Sequence, residues 1–469
     1  MKTTTLTEPN TAHIKALVEK QRNYFATGAT KDLKFRKEML KKLKNAISNN
    51  EQAITEALHK DLRKHEFEAY ATEIGFVLVD LKKAINSIEK WARPRTVPTP
   101  LFHFNSKSYV QPEPRGVTLI VSPWNYPFQL LFAPLVGNIA AGNTSVLKPS
   151  ELAPATSAVA AKIIAETFSP EYIATVEGGI PESQALLDEK FDYIFFTGGT
   201  NVGRIVYQAA AKHLTPVTLE LGGKSPCIVD RDANISMTAK RIVWGKFVNA
   251  GQTCIAPDYI LVDKSVKAKL VAKMIEYIQK FFGDDAQKSD AYPRIINEKH
   301  HQRLTSYLED GNVLFGGRHD ESDRYIEPTL LDGVSPESGV MTDEIFGPIL
   351  PILEYDNIKE TIDFINARPK PLAMYIFCKN ESKVQRILGE TSAGGVTVND
   401  TLLHIANGYL PFGGVGESGI GAYHGQLSFD IFSHQKAVLR RTFLVDDPVR
   451  YAPYKLNIGW LRKLMDWTL

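Results

Sequence analysis

The sequence predicts an α/β protein with two parallel-sheet domains, and three observations carry that prediction. Short β-branched runs alternate with segments of helical length between residues 116 and 217, and the alternation resumes after Pro216. Strands separated by such helices form βαβ units, whose sheets are largely parallel and covered on both faces. The third observation is bulk composition. A chain of 469 residues, 43% apolar and 23% charged, has the make-up of a folded protein and is long enough for two or three domains.

The elements follow in order. Across residues 31–62, Met39, Leu40, Leu43, Ala46, Ile47, Ile54, Ala57 and Leu58 recur near helical spacing among Lys and Glu, which predicts amphipathic helices. A second helical stretch, 66–91, ends at the Pro-rich segment 93–100, where a helix cannot continue. Strands are predicted at 116–121, 144–148, 172–177 and 193–197, with helices at 128–141, 155–168 and 201–214 between them. A second set of strands follows at 226–230, 259–262, 349–355, 373–379 and 395–399. Residues 107–113 and 430–439 fit neither sheet and read as arms reaching a partner subunit. The last residues, 455–469, carry Leu456, Ile458, Trp460, Leu461, Leu464, Met465 and Trp467 among basic residues. That pattern suits a terminal helix packed on the body or one lying on a membrane surface.

Charge and cysteine usage exclude several functions. With 55 basic and 53 acidic residues the formal charge is +2, so no net field gathers nucleic acid or anionic lipid. Three cysteines cannot build a disulfide framework in a chain of this size, which fits a reducing compartment. Residues 1–10 lack the charged start and apolar core of a signal peptide. Nor does an uninterrupted apolar run of roughly 18 residues occur. The expectation is a cytoplasmic protein.

Four segments carry chemistry. Cys254 lies in GQTC (251–254), at a Gly-containing break after a helical pattern, where a thiol can face a cleft and backbone N–H groups are free to donate. Cys227 and Cys378 sit inside apolar strands and read as small buried hydrophobes. Glu220 lies in LELGGKSP (219–226), a carboxylate in an apolar run before a Gly-Gly turn. Desolvation there raises its pKa and suits it to act as a general base, against the alternative of a structural Glu. Asn125, within PWNYP (123–127), follows a strand in a loop fixed by two prolines. Its amide could serve an oxyanion hole or merely satisfy its own turn. Lys148 and Glu151, in KPSE, follow another strand at the same sheet edge, where open α/β sheets bind ligands, although a solvated loop pair is the commoner outcome. The FTGG run (196–199) leads through Thr200 and Val202 to Gly203 and enters a helix whose N-terminus could meet a dinucleotide. It is not the G-x-G-x-x-G fingerprint. His404, His424 and His434 show no metal-ligand spacing and read as structural or as lining a substrate mouth. Tyr70, Tyr126 and Trp244 read as core, with Tyr126 also placed to touch a substrate tail.

Taken in order, PWNYP, KPSE, FTGG, LELGGKSP, GQTC, EIFGP (344–348) and LPFGGVG (410–416) resemble the aldehyde dehydrogenase superfamily. The ending PFGGVGESGIGAYHG (411–425) resembles its class 3 branch of medium-chain, aromatic and fatty aldehyde dehydrogenases. That resemblance implies two Rossmann-like domains: a cofactor-binding domain over 1–106 and 121–217 and a catalytic domain over 218–425. An oligomerisation arm over 107–120 and 426–445 and a tail over 446–469 complete it. It also implies NAD(P)-dependent oxidation of a medium- or long-chain aliphatic or aromatic aldehyde to the acid, with a homodimer as the assembly. By the same resemblance Cys254 forms the thioester, Asn125 and the Cys254 N–H hold the oxyanion, and Glu220 activates water. Lys148 and Glu151 would hold the adenosine ribose, and Gly198, Gly199, Thr200, Val202 and Gly203 the pyrophosphate region. Glu344 with Phe346 would hold the nicotinamide ribose and ring, and Trp124, Leu221 and Gly222 would also bind the cofactor. At Gly199 many relatives carry Ser, which removes one phosphate hydrogen bond. Glu151 can accept from a ribose 2′-hydroxyl but repels a 2′-phosphate, so NAD is expected, with NADP left open. Two other readings were weighed. An acylating enzyme using coenzyme A would not need the carboxylate at 220, and an idle binding protein would not need Cys254, Glu220 and Asn125 together.

Overall fold

A computed structural model of the chain describes residues 12–103, 105–444, 446, 450–454 and 456–468. The N-terminal segment read as lacking a signal peptide lies outside them.

The two predicted sheets form. The first has six strands in the order Gly419–Ile420, Val217–Glu220, Tyr193–Thr197, Val117–Val121, Thr144–Lys148 and Ile173–Thr175. All pair in parallel except the two-residue edge strand Gly419–Ile420. The second has seven, in the order Asn312–Phe315, Thr329–Asp332, Ile349–Tyr355, Tyr259–Asp263, Pro226–Val229, Ala373–Phe377 and Gly395–Val398. Only its edge strand Asn312–Phe315 runs antiparallel. The central strands are buried along their length, as near-continuous apolar runs between helical layers must be.

Helix Gln129–Ala141 is buried at every position. It is apolar all round because it sits inside the fold, beside helices Leu33–Asn49, Gly75–Trp91 and Gln426–Ile431. It stops at Gly142, whose φ of +93° and close approach to Arg36, 2.5 Å from where a Cβ would stand, leave no room for a side chain. Helix Pro154–Thr167 is docked by Asp61, which accepts from the N–H groups of Ala155 (3.1 Å) and Thr156 (2.8 Å).

Several boundaries differ from the sequence reading. Residues 117–120, assigned to the arm, belong to the six-stranded sheet, because their apolar side chains are buried on both faces. The arm strand is Ser106–Pro114, paired antiparallel with Ser433–Arg441 on one side and with the short strand Arg95–Val97 on the other. The predicted arm segments therefore meet each other in one sheet. Helix Ala12–Ala26, helix Ile180–Asp188 and strand Thr329–Asp332 were not predicted. The stretch 66–91 contains one π-helical turn, Tyr70–Ile74. The C-terminal helix Ile458–Thr468 forms, with Ile458, Trp460, Leu461 and Met465 exposed. Among the described residues no helix is long and apolar enough to cross a membrane.

Candidate active site

Parallel pairing brings the carboxyl ends of four neighbouring strands to one edge. Val121 is level with Lys148 and Phe196, and Thr197 with Glu220. The Asn125 loop, KPSE, FTGG and LELGG therefore leave the sheet side by side, where α/β sheets bind ligands.

Cys254 comes from the second sheet's side. Helix Ile235–Phe247 ends in the turn Val248–Gly251, where Asn249, Ala250 and Gly251 have φ of +52°, +51° and +75°. Left-handed backbone at two non-glycine residues costs roughly 1–2 kcal/mol each, so neighbours must hold it. The Asn249 N–H donates to Glu68 Oε1 (2.9 Å), and its side-chain amide donates to the carbonyls of Asn125 (2.8 Å) and Gln252 (3.1 Å). Gln252 is fixed in turn: its amide donates to the carbonyls of Asn249 and Arg294, and its Oε1 accepts from the Ile296 N–H. At Gly251 a Cβ would stand 2.3 Å from the Gly347 carbonyl.

The same cluster immobilises Asn125. Its Nδ2 donates to the Gln252 carbonyl (3.0 Å), leaving the second amide hydrogen for another acceptor. Its own carbonyl accepts from Lys64 Nζ (2.9 Å). Lys64 is fully buried, pairs with buried Glu73, and lies 4.1 Å from the Tyr126 ring centroid. Glu73 Oε2 accepts from the N–H groups of Phe128 (2.9 Å) and Gln129 (3.2 Å). A buried ion pair from the N-terminal helices thus clamps both ends of the Asn125 loop. Sequence reading missed it, because a Lys and a Glu nine positions apart in a helical stretch look like solvated surface.

Two cavities meet at this point. One, of about 400 Å³, is lined by Trp124, Asn125, Gly198, Gly199, Glu220, Leu221, Gly222, Cys254, Glu344 and Phe346. It continues into a groove past Thr200, Val202 and Lys224. The other, of about 260 Å³, has a mostly apolar wall that includes Phe76, Tyr126, Leu130, Trp244, Leu403 and Phe412. Cys254 and Glu220 line both. Gly203 packs against Leu221, and its missing side chain makes that approach. Lys148 and Glu151 line neither cavity: Lys148 is buried, donating to the carbonyls of Pro149 (2.9 Å) and Gly178 (2.6 Å), with Glu151 3.7 Å away. Tyr126, whose hydroxyl is 2.6 Å from Thr253 Oγ1, and Trp244, 41% exposed, both face the apolar cavity, which corrects the core reading of Trp244. Tyr70 lies on the surface, 45% exposed. His424 and His404 are buried beside Phe412, and burial pushes them down to about 3 and about 4, so both are neutral.

Electrostatics favour the protonated forms at the centre. Burial pushes the Cys254 thiol up, and the facing carboxylates of Glu344 and Glu220 push it further. Cys254 therefore rests as a thiol. Burial raises Glu220 well above the usual carboxylate range, and neither of its oxygens has a protein partner. Glu344 is pushed up to about 8 by burial and by Asp258, against the Gly223 N–H and Lys224.

The groove suits a dinucleotide. The twelve-residue helix Thr200–Ala211 begins at Gly199 without a side-chain cap, and no atom lies within 4 Å of where a Gly199 Cβ would stand. Its open N-terminus can take pyrophosphate. Gly222 lets the Glu344 carboxylate approach to about 2.1 Å from its missing Cβ, leaving that acid facing the cavity. Exposed Val202 and Ile205 on the same helix offer an apolar seat for a base.

Two parallel-sheet units, with a thiol and a carboxylate where a polar groove meets an apolar tunnel, place the chain among dinucleotide-dependent enzymes. Comparison with known proteins makes the class specific. The chain belongs to the aldehyde dehydrogenase family, whose model matches residues 2–438. It is 54% identical over 441 residues to the 4,4'-diaponeurosporen-aldehyde dehydrogenase of Staphylococcus aureus, covering 94% of this chain and 96% of that protein. It is 45% identical to the mouse "Aldehyde dehydrogenase, dimeric NADP-preferring", covering 94% and 98%. A solved structure of Staphylococcus aureus AldH in a substrate-bound state superposes with a TM-score of 0.95 at 51% identity, covering 96% of this chain and 99% of that one. The reaction is the NAD(P)-dependent oxidation of an aldehyde to a carboxylic acid.

Proposed function

We propose that Cys254 is the nucleophile, Asn125 the oxyanion donor and Glu220 the base, acting on an apolar medium- or long-chain or aromatic aldehyde. The observation that carries this reading is that Cys254 and Glu220 alike line both the groove and the apolar tunnel. The aldehyde tail lies in the tunnel with its carbonyl at Cys254. The thiol gives up its proton to water in the groove, the sulfur bonds to the carbonyl carbon, and the new oxyanion accepts from the free Asn125 amide hydrogen and the Cys254 N–H. NAD(P)+, when bound, supplies the hydride acceptor. Loss of hydride leaves a thioester on Cys254, and Glu220, once ionised, takes a proton from the water that attacks it. A base at 220 serves water and is superfluous for a thiol acceptor, which favours hydrolysis over transfer to coenzyme A.

Gly198, Gly199, Thr200 and Val202 hold the pyrophosphate region, and Trp124, Leu221, Gly222, Glu344 and Phe346 the nicotinamide side. The Lys148–Glu151 pair holds the adenosine ribose; Glu151 is about half exposed and could turn to accept from a hydroxyl. That favours NAD, whereas the mouse relative is named NADP-preferring. The Staphylococcus aureus relative's name, with its 4,4'-diaponeurosporen-aldehyde, supports a long apolar substrate. The enzyme is a homodimer joined through the sheet containing Ser433–Arg441, a long outer strand that can template pairing, as the mouse relative's printed "dimeric" supports. Three free thiols support a cytoplasmic location. The exposed face of helix Ile458–Thr468, with Arg462 and Lys463 beside Trp460 and Leu461, meets a lipid surface. Equal co-sedimentation with anionic liposomes by the full chain and one ending at residue 455 contradicts this last point.

The test of substrate class is kcat/KM across straight-chain aldehydes of increasing length and across benzaldehydes. Rising values along the apolar series support the reading, and preference for short polar aldehydes contradicts it. Cys254→Ala should abolish NAD(P)H formation with all of them.

A further inference from the structure

The apolar cavity also has polar groups on its wall. Both Glu220 oxygens, Gln129 Nε2, Thr197 Oγ1 and the Tyr423 hydroxyl line it, are buried, and have no hydrogen-bond partner in the protein. Gln129 is 4% and Tyr423 1% exposed. Burying such groups unpaired carries a desolvation penalty that folded proteins avoid, and several converging on one cavity mark a place where a small polar molecule sits.

The fold aims them. Gln129 opens helix Gln129–Ala141 with its N–H on Glu73. Tyr423 follows Gly419–Ile420, the strand paired with that of Glu220, and exchanges backbone hydrogen bonds with Phe412. Its ring meets Phe195 edge-on at 5.0 Å and Phe412 at 5.9 Å, so the phenol cannot swing away. The Gln129 amide stands close enough to that phenol to act on it as a weak donor, although no hydrogen bond between them meets full geometry, which leaves both groups open to a further partner. Burial, followed by the facing Glu220 and Cys254, keeps the Tyr423 hydroxyl protonated, hence a donor. Two donors and the Glu220 carboxyl, an acceptor through its carbonyl oxygen and through both oxygens once ionised, around a common space beside the thiol make the usual partner set of one bound water.

We propose that Gln129 and Tyr423 hold the hydrolytic water against Glu220, as positioning residues for release of the acid and not for formation of the thioester. The water oxygen bonds to the acyl carbon while one of its protons passes to Glu220. The C–S bond then breaks, with its electron pair returning to the Cys254 sulfur, and the product is the carboxylic acid. This rests on Cys254 as the acylated residue.

The test uses the full chain without cofactor and a p-nitrophenyl ester of an apolar acid, which acylates Cys254 by displacing p-nitrophenolate. The burst rate reports acylation and the steady state reports hydrolysis. Tyr423→Phe, which keeps the ring packing, and Gln129→Met should leave the burst rate within about 2-fold and lower the steady state by about 10-fold or more. Added hydroxylamine, which needs no held water, should return both variants to the wild-type steady state. A burst slowed in proportion to the steady state, a steady state unchanged, or a defect that hydroxylamine does not relieve each overturns the proposal. So does a change confined to KM, which would make the pair a substrate subsite. Failure of the Cys254 assignment is distinguishable, since the wild-type protein would then show no burst.

Discussion

Lys64→Met separates positioning from stability at the proposed oxyanion site. The substitution keeps the length of the stem but removes a fully buried ammonium, leaving Glu73 charged and equally buried, with only the Phe128 and Gln129 N–H groups against it. Removing one partner of such a pair costs roughly 3–5 kcal/mol, a large share of a marginal folding free energy. Adding Glu73→Gln removes the stranded charge while keeping an acceptor for the two N–H groups, and should recover the loss to within about 1–2 kcal/mol. Activity should not recover with it. In the double variant the Asn125 carbonyl keeps Asn249 Nδ2 (2.8 Å) but has lost Lys64, so the loop bearing the oxyanion donor is held on one side only. A donor displaced by a fraction of an ångström loses part of its transition-state stabilisation, and kcat should remain down about 10-fold with KM little changed. Urea denaturation gives the stabilities and initial-rate kinetics the rest. A double variant that regains both stability and full kcat refutes the positioning argument; one that regains neither shows that the two residues do not act as a pair.

Three further outcomes follow from the geometry. Asn125→Ala should lower kcat by about 10²–10³-fold, because an oxyanion donor is lost, with little effect on cofactor affinity; a loss below about 5-fold in steady-state kinetics would contradict the assignment. Gly251→Ala forces a Cβ at φ +75° to 2.3 Å from the Gly347 carbonyl, so it should lower Tm by several degrees and slow alkylation of Cys254 by iodoacetamide. Burial raises Glu220 in the folded state, so between the ordinary carboxylate pKa and that raised value the unfolded chain has lost a proton that the folded one keeps, and stability falls as pH rises. Glu220→Gln should therefore raise Tm at pH 8, with the gain shrinking toward pH 4; a gain independent of pH in differential scanning calorimetry would refute this.

Legibility followed the range of the interactions. The two parallel sheets were readable because buried strands must be apolar runs and their crossovers helical, and the meeting of the Asn125 loop, Glu220 and the FTGG run at one edge was readable because parallel pairing sends strand ends there. The run 116–121 reads correctly as a strand, and only the domain bounds implied by the resemblance gave 117–120 to the arm, whose strand is joined to the core strand by just two residues, Arg115 and Gly116. Helix Ala12–Ala26 escaped notice because its apolar face is thin, with Ile14 and Val18 its buried hydrophobics and Gln21 doing the anchoring by donating to the Ser145 carbonyl. The tunnel wall draws Phe76, Trp244 and the Leu403–Phe412 region from three distant segments, so no local pattern could join them. The Lys64–Glu73 pair looks like surface charge until the fold closes over it. Tyr423 sat in a recognised motif but carried no sign that its hydroxyl would be left without a partner.

The account stands most directly on the acyl group at Cys254. Glu220→Gln, mixed with excess NAD and a long-chain aldehyde, should release one equivalent of NADH per active site and then stall. Mass spectrometry of the stalled protein should find the acyl mass on the peptide containing Cys254. Continuous turnover by that variant, or a stalled protein with Cys254 unmodified, would contradict it.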